Sequence, residues 1–450
     1  MIPCPRRWAV ENQSERLNEA ASYFCDRNSL YCQNKLTYIC SANYLSALAM
    51  VLKSELEIAY KLQRDFIKPV KSFIARDYPA PAKSNHVEVI SGIRRCGKST
   101  LMDQIKHGYR GGISYFNFED PRVHDFEVAD FQKLDEVIGP KATTYFFDEI
   151  QNVPSWEIYV RQLHDRGKKV FITGSNASLL SKELGTRLTG RHLRHELFPF
   201  SYPEFLLYTK SKNTPAAFED YLQHGGFPEY LRDRNEEMLH MLLKDIVSRD
   251  IAIRYGIKNT STLMDITLFL LSNVGKEFTF NSLRKSFQVG SANTVSDYLA
   301  WLEDTYLVFF LTRFSWSAKN RSVNPRKVYA VDTGMINANS LSFSKDKGRL
   351  LENIVYLFLR KKNYDLSYYR EQAECDFVVF EKGKCKMVLQ VCQQLHNENK
   401  DRETRGLLEA MDYFGLKTGL IITQGQSDVL RFDKKIIELK PAHQFLLEEA

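Results

Sequence analysis

The segment Gly92-Ile93-Arg94-Arg95-Cys96-Gly97-Lys98-Ser99-Thr100 places two glycines, a lysine and a hydroxyl at the G-x-x-x-x-G-K-[ST] spacing. Those residue types suit one task, the wrapping of a polyphosphate. The glycines let successive backbone N–H groups curl round phosphate oxygens. A helix beginning near Lys98 would aim its positive end at the same oxygens. The Lys98 ammonium would reach the β- and γ-phosphates, and the Ser99 hydroxyl would ligate Mg²⁺. A β-type run, Val87-Glu-Val-Ile-Ser, precedes the loop, and a helical run, Leu101-Met-Asp-Gln-Ile, follows it. That context separates a phosphate loop from a chance match. Cys96 reads either as a small residue that fits the loop or as an oxidation-sensitive thiol within it.

Phosphoryl transfer also needs a metal anchor and a group that orients water. Thr143-Thr-Tyr-Phe-Phe-Asp148-Glu149-Ile150 is an apolar strand ending in two acids. Asp148 is the expected holder of the Mg²⁺ shell, and Glu149 the expected orienter of the attacking water. A further strand, Lys169 to Gly174, ends in Ser175-Asn176. Ligands of open parallel sheets lie beyond the carboxyl ends of the strands, so Asn176 is expected to sense the γ-phosphate or the water. The alternative is a helix cap for Ala177 to Leu184. Arg187 and Arg191 are candidates for an arginine offered to a neighbouring subunit's nucleotide, against the default of surface arginines. Glu119 and Asp120, past the strand Gly112 to Phe118, read equally as magnesium neighbours or as surface acids.

These residues need an alternating strand and helix series in one parallel sheet, which is the pattern from Val87 to Asn176. The 450 residues are too many for one ordinary domain. With 44% hydrophobic and 26% charged residues, the chain is neither disordered, collagen-like nor low-complexity. A formal charge of +7 permits a nucleic-acid partner without requiring one. Eight cysteines without a C-x2-C pair argue against a disulfide scaffold and a structural zinc site. No apolar run reaches the ~18 residues that span a bilayer. The start has no apolar signal region, so a cytoplasmic chain with no membrane partner is expected. Residues 1–49 hold four of the cysteines and no clean period, whereas periodicity begins at Met50. The expectation is that Met50 is the natural start and that the leader is an artefact or a loose extension.

Taken together, Gly92-Ile-Arg-Arg-Cys-Gly-Lys-Ser, Asn117-Phe-Glu-Asp, Phe147-Asp-Glu-Ile-Gln, Thr173-Gly-Ser-Asn and Gly225-Gly-Phe-Pro-Glu-Tyr are a specific set. So are Lys244 to Ile251, Arg349-Leu-Leu-Glu352-Asn353 and Glu374-Cys-Asp376-Phe. The set resembles prokaryotic AAA-type ATP-binding proteins whose C-terminal part is the domain of unknown function 4143, over about residues 60 to 445. The resemblance implies an AAA-like P-loop NTPase core, a winged-helix region and a restriction-endonuclease-like α/β domain. The expected division is a leader at 1–49, an ATPase domain with an N-terminal helix at 50–230, a helical and winged-helix region at 231–335, and an inactive nuclease-like domain at 336–450.

Helical spacing at Leu263, Ile266, Leu270 and at Val295, Leu299, Leu302, followed by the extended run from Tyr306, fits a winged helix-turn-helix. Its groove-facing helix would start at Ser291. Arg284, Lys285, Lys319, Arg321, Arg326 and Lys327 are candidate phosphate contacts. Asp297, Glu303 and Asp304 count against a groove-reading face, and a packing module is the alternative. In the last domain Glu352 and Asp376 fit the acids of a nuclease core. Gln390 and Cys392 stand where an acid and a lysine would be needed, so no cleavage is expected. The expected function is Mg²⁺-dependent ATP hydrolysis coupled to a partner, with a homo-oligomer compatible with it. The alternatives are a DNA-binding defence or transposition-type ATPase, a nucleotide switch with little turnover, and a winged-helix regulator.

Overall fold

A computed structural model describes residues 51–66, 74–78, 85–109, 111–176, 188–341 and 346–448. The leader, the helix expected at Ala177 to Leu184 and Arg187 lie outside the described residues. Among the described residues, no helix is long and apolar enough to cross a membrane.

The phosphate-loop region forms a five-stranded parallel sheet from β1 (Val87–Ser91), β2 (Ile113–Asn117), β3 (Thr144–Asp148), β4 (Lys169–Gly174) and β5 (His192–Glu196). The strand order is β2-β3-β4-β1-β5. This is the α/β, AAA-like P-loop NTPase core expected from the strand and helix alternation. Side chains alternate across it with the period of two that strands impose. Val87, Val89, Tyr145, Phe147, Val170 and Ile172 pack on one face, in a core shared with the helices Lys53–Phe66, Phe131–Ile138 and Trp156–Asp165. Ile90, Phe146 and Phe171 pack on the other. That second core runs on through the rest of the chain, so the sheet is backed by the helices that follow it rather than by solvent.

Beyond β5, helices lead to an eight-residue π-helix, Ile246–Ile253. Helices Thr260–Ser272, Phe280–Ser286 and Ala292–Asp304 then pack with a small antiparallel sheet. Its strands are β6 (Glu277–Phe278), β7 (Val308–Thr312) and β8 (Arg326–Ala330), in the order β6-β8-β7. Helix Ala292–Asp304 lays Trp301 flat on Tyr255 and exposes Asn293 and Asp297. Glu303 turns inward and accepts from the Phe310 N–H, so it does not bear on an outer face as the sequence suggested.

The C-terminal part is a six-stranded mixed sheet of β9 (Asp365–Arg370), β10 (Glu374–Glu381), β11 (Lys384–Val391), β12 (Thr418–Thr423), β13 (Asp428–Phe432) and β14 (Lys435–Pro441). The order is β13-β14-β12-β11-β10-β9. Helix Asn397–Phe414 carries the chain from β11 to the parallel β12.

Two glycines show how tightly the parts are joined. A Cβ on Gly226 would stand 2.1 Å from the Phe200 carbonyl oxygen. A Cβ on Gly225, at φ +69°, would stand 2.2 Å from the Asp332 carboxylate. That carboxylate accepts from the N–H of Gly226 and caps helix Thr333–Asn339 through the Met335 N–H.

Candidate functional site

β1 ends at Ser91 and the chain turns at once into the glycine loop. Gly92 is needed because a Cβ there would lie 2.0 Å from the Leu197 carbonyl oxygen. Gly97, at φ 101°, takes the left-handed turn that starts helix Lys98–His107. Ile93 and Cys96 are fully buried and anchor the loop from below. The Cys96 thiol donates to the Leu197 carbonyl, and burial raises its pKa, which removes the reactive thiolate that oxidation requires. Lys98 Nζ lies in the cradle, bonded to the carbonyls of Gly92 (3.1 Å) and Ile93 (3.2 Å) and 3.5 Å from Glu149 Oε1. Ser99 and Thr100 are solvent-exposed at the helix start, and the Ser99 hydroxyl reaches Asp148.

The acid tip of β3 meets this loop. Asp148 is fully buried and held by the hydroxyls of Thr173, Tyr115 (3.0 Å) and Ser99. Burial and the adjacent Glu149 push its carboxyl up, and the hydroxyls offset this only in part. Glu149 sits in the left-handed region, at φ 51°, which swings its side chain toward Lys98. Burial works against its charge, but the Lys98 ammonium and the Gln151 amide hold the carboxyl below its ordinary value. Thr173 on β4 ties the two acids together, donating to Asp148 while accepting from the Glu149 N–H at 3.0 Å. Asn176 is buried just past β4, at the same edge of the sheet.

Other expected residues take other places. Arg94 reaches Asp250 of the π-helix (3.0 and 3.2 Å) and Glu119 (2.9 Å). Arg95 pairs with Glu229 at 3.3 Å. Asp120 is taken by Arg122 and by Gln63 of the N-terminal helix. Arg191 precedes β5, which runs parallel to β1, and its carbonyl accepts from the Val87 N–H. It therefore stands at the edge where β1 begins, opposite the loop, and pairs with Asp165 at 2.9 Å. Sequence reasoning missed Thr173, Gln151 and Arg76. Arg76 is buried and braces the loop from behind, donating to the Cys96 and Phe198 carbonyls and to Glu204. Thr173 lay within a quoted motif, but nothing local marked Arg76, whose carboxylate partner lies 128 residues away.

A second charged cluster corrects an expectation. Lys327 was a candidate phosphate contact, but it is 2% exposed. It points from β8 into the C-terminal sheet, where Nζ meets Glu374 (2.8 Å), Asp376 (2.9 Å) and Glu352 (3.1 Å). The sequence placed a thiol, Cys392, where the strand end would need a lysine, and the lysine that does reach these acids arrives from a different sheet. Burial would strip the Lys327 proton, but Asp376 and Glu352 outweigh it and keep the ammonium charged. Gln390 is committed as well, accepting from the Asp376 N–H and donating to Glu403. Arg326 lies over the Phe280 ring. Lys285, Lys319 and Arg321 remain exposed.

Residues 84–206 match an AAA domain, 215–346 a domain of unknown function (DUF8612) and 347–445 a domain of unknown function (DUF4143). Uncharacterized protein MJ1544 of Methanocaldococcus jannaschii is 34% identical over 426 residues, 87% of this chain and 93% of its own length. An uncharacterized protein of Haemophilus influenzae is 31% identical, over 77% of this chain and 92% of its own. Among solved structures, AMPPCP-bound DnaA from Aquifex aeolicus overlaps 55% of this chain and 87% of its own, at 12% identity and a TM-score of 0.25. Identity at that archaeal level, across nearly the whole of both chains, settles kinship: the protein belongs to the family of AAA-domain proteins with a C-terminal domain of unknown function 4143.

Proposed function

We propose that the chain binds ATP with Mg²⁺ in the Gly92–Thr100 loop and hydrolyses it to ADP and phosphate. The observation that carries this reading is the meeting of Lys98, Ser99, Asp148 and Glu149 at the carboxyl edge of one parallel sheet. Lys98 would exchange the loop carbonyls for phosphate oxygens. Glu149, released from Lys98 by the phosphates, would accept a hydrogen bond from the attacking water and align it. Asn176 at the end of β4 is the candidate γ-phosphate sensor. The buried carboxylate of Asp148 and the Ser99 hydroxyl bonded to it are oxygen donors of the kind magnesium takes, so these two are the expected holders of the ion. Bound there, the ion would neutralise phosphate charge.

Turnover by the purified chain tests this. Lys98→Ala abolishes nucleotide binding or turnover, and Glu149→Gln keeps binding but stops hydrolysis. Hydrolysis by Lys98→Ala at the unsubstituted rate would refute the assignment. Absence of the guanine-reading Asn/Thr-Lys-x-Asp motif favours adenine.

The three helices and the β6-β8-β7 sheet have the element order of a winged helix-turn-helix, and we read them so. A DNA-linked version of the function is favoured by one feature, the segment between β7 and β8. It exposes Trp316 together with Lys319 and Arg321. Turnover raised by duplex DNA, and lost on charge reversal at Lys319 and Arg321, supports that version; turnover indifferent to DNA favours a protein partner.

A further inference from the structure

The basic side chains at the front of the phosphate loop are each matched to an acid. Lys98 faces Glu149, Arg95 faces Glu229 and Arg94 faces both Glu119 and Asp250. The Arg94 contact differs from the rest in two ways. It is two-pronged, with Nε and Nη2 on the two carboxylate oxygens of Asp250, at 3.2 and 3.0 Å. Paired forks of this kind are the most direction-specific of ion pairs. Its acid also belongs to the π-helix Ile246–Ile253, whereas Glu229 lies in an ordinary helix, Pro228–Asp233, and Glu149 directly follows β3. A run of π-helical turns is rare, and such turns gather at functional sites. Arg94 is also near enough for its charge to act on both Lys98 and Glu149.

We infer that Asp250 is the acid through which the phosphate loop reports its occupancy to the rest of the chain. This rests on the ATP-binding reading above and adds the regulation of that site. A polyphosphate in the loop brings several negative charges beside Arg94, against the single charge of Asp250. Arg94 turns to the phosphates, and the π-helix loses the tie that fixes it to the loop. Ile246, Val247 and Ile251 of that helix lie in the core shared with helices Thr260–Ser272 and Ala292–Asp304. Movement there is therefore felt directly by the module that follows. By reciprocity, a partner that pulls Asp250 away frees Arg94 and tightens nucleotide binding. Asp250 is thus a positioning residue that acts through Arg94.

The experiment is a titration of the full chain with a fluorescent ATP analogue, together with hydrogen exchange over residues 246–253. Asp250→Asn keeps the shape and removes the charge, and it binds nucleotide about 3–10-fold more tightly, the size of one ion pair released. In an Arg94→Ala background the same change has no further effect, since the pair is already gone. In the unsubstituted chain, nucleotide speeds exchange in 246–253, and in Asp250→Asn that segment already exchanges fast without nucleotide. Equal or weaker binding by Asp250→Asn, or exchange in 246–253 that ignores nucleotide, overturns the inference while leaving the ATP site intact. No nucleotide binding by the unsubstituted chain overturns both.

Discussion

Lys327 Nζ lies 2.9 Å from Asp376 Oδ1, inside a ring of carboxylates completed by Glu352 and Glu374. The pair joins two sheets, since Lys327 comes from β8 and Asp376 from β10. Taking away the cation leaves buried like charges with nothing between them. Lys327→Met is therefore expected to cost ~3–5 kcal/mol, the range for breaking one side of a buried pair. Urea unfolding followed by fluorescence reads the loss, and Arg326→Met, whose side chain is only half-buried, serves as the comparison.

The same geometry bears on DNA cleavage. Lys327 brings the ammonium that the strand end lacks, but it is bonded to Glu352, Glu374 and Asp376, the same carboxylates that would have to gather a divalent cation. Gln390 spends its amide on Glu403 and on the Asp376 backbone, and Cys392 is a buried thiol whose pKa burial raises to about 12. Plasmid DNA incubated with the purified chain and Mg²⁺ or Mn²⁺ is expected to stay supercoiled. Nicking that disappears in Asp376→Ala would show the cluster to be catalytic after all.

Glu352 gives this cluster a pH signature. Burial, and then the neighbouring Asp376, push its carboxyl from 4.5 up to about 7. Between those values the folded chain holds a proton that the unfolded chain has lost. Stability therefore falls as pH rises through that window, at up to ~1.4 kcal/mol per pH unit, and the loss is complete above it. Glu352→Gln has no proton to lose and keeps an oxygen to accept from Tyr329 and Lys327. Melting temperatures taken from about pH 5 to pH 8 should show the variant gaining on the unsubstituted chain up to about pH 7 and holding that advantage above it. A constant gap would remove Glu352 from the account.

How far the sequence reaches depends on how local each feature is. Gly92 to Thr100 and Asp148–Glu149 were legible because each packs its chemistry into a few consecutive residues beside a recognisable strand. Lys327 was not, because its partners Glu352 and Asp376 follow it by 25 and 49 residues. On the page it looks like any lysine next to an arginine at the start of a strand. Arg76 was invisible for the same reason. Glu303 and Asp297 look alike in sequence, and only the packing of their helix shows that one turns in and the other out. Residues 177–187 leave the capping alternative for Asn176 outside what the structure describes.

The Gly225–Gly226 doublet makes a steric prediction. Phe200 donates its N–H to the Gly226 carbonyl at 2.8 Å, while the Gly226 N–H donates to Asp332 at 2.6 Å. The backbone is pinned from both sides, and an added methyl would collide with the rigid Phe200 carbonyl. Gly226→Ala should cost at least ~2 kcal/mol, at the level of core overpacking. Gly290, with nothing within 4 Å of its would-be Cβ, should accept alanine with a change below ~0.5 kcal/mol. Thermal melts of the two variants side by side separate a steric cause from a general dislike of glycine replacement.

Arg191 supplies the last test, and it turns on strand direction. Because β5 runs parallel to β1, a residue just before β5 lies a full strand length from its own phosphate loop. Within one chain Arg191→Ala should leave nucleotide affinity unchanged. The lost pair with Asp165, exposed on both sides, is worth under ~1 kcal/mol of stability. Catalysis is a separate matter, because the far edge of one copy can face the loop of the next. If Arg191 enters a neighbour's site, Arg191→Ala drops turnover by ~10³ at intact affinity, and mixing it with Lys98→Ala chains restores activity. Turnover that holds in Arg191→Ala across protein concentrations assigns the residue to the surface alone.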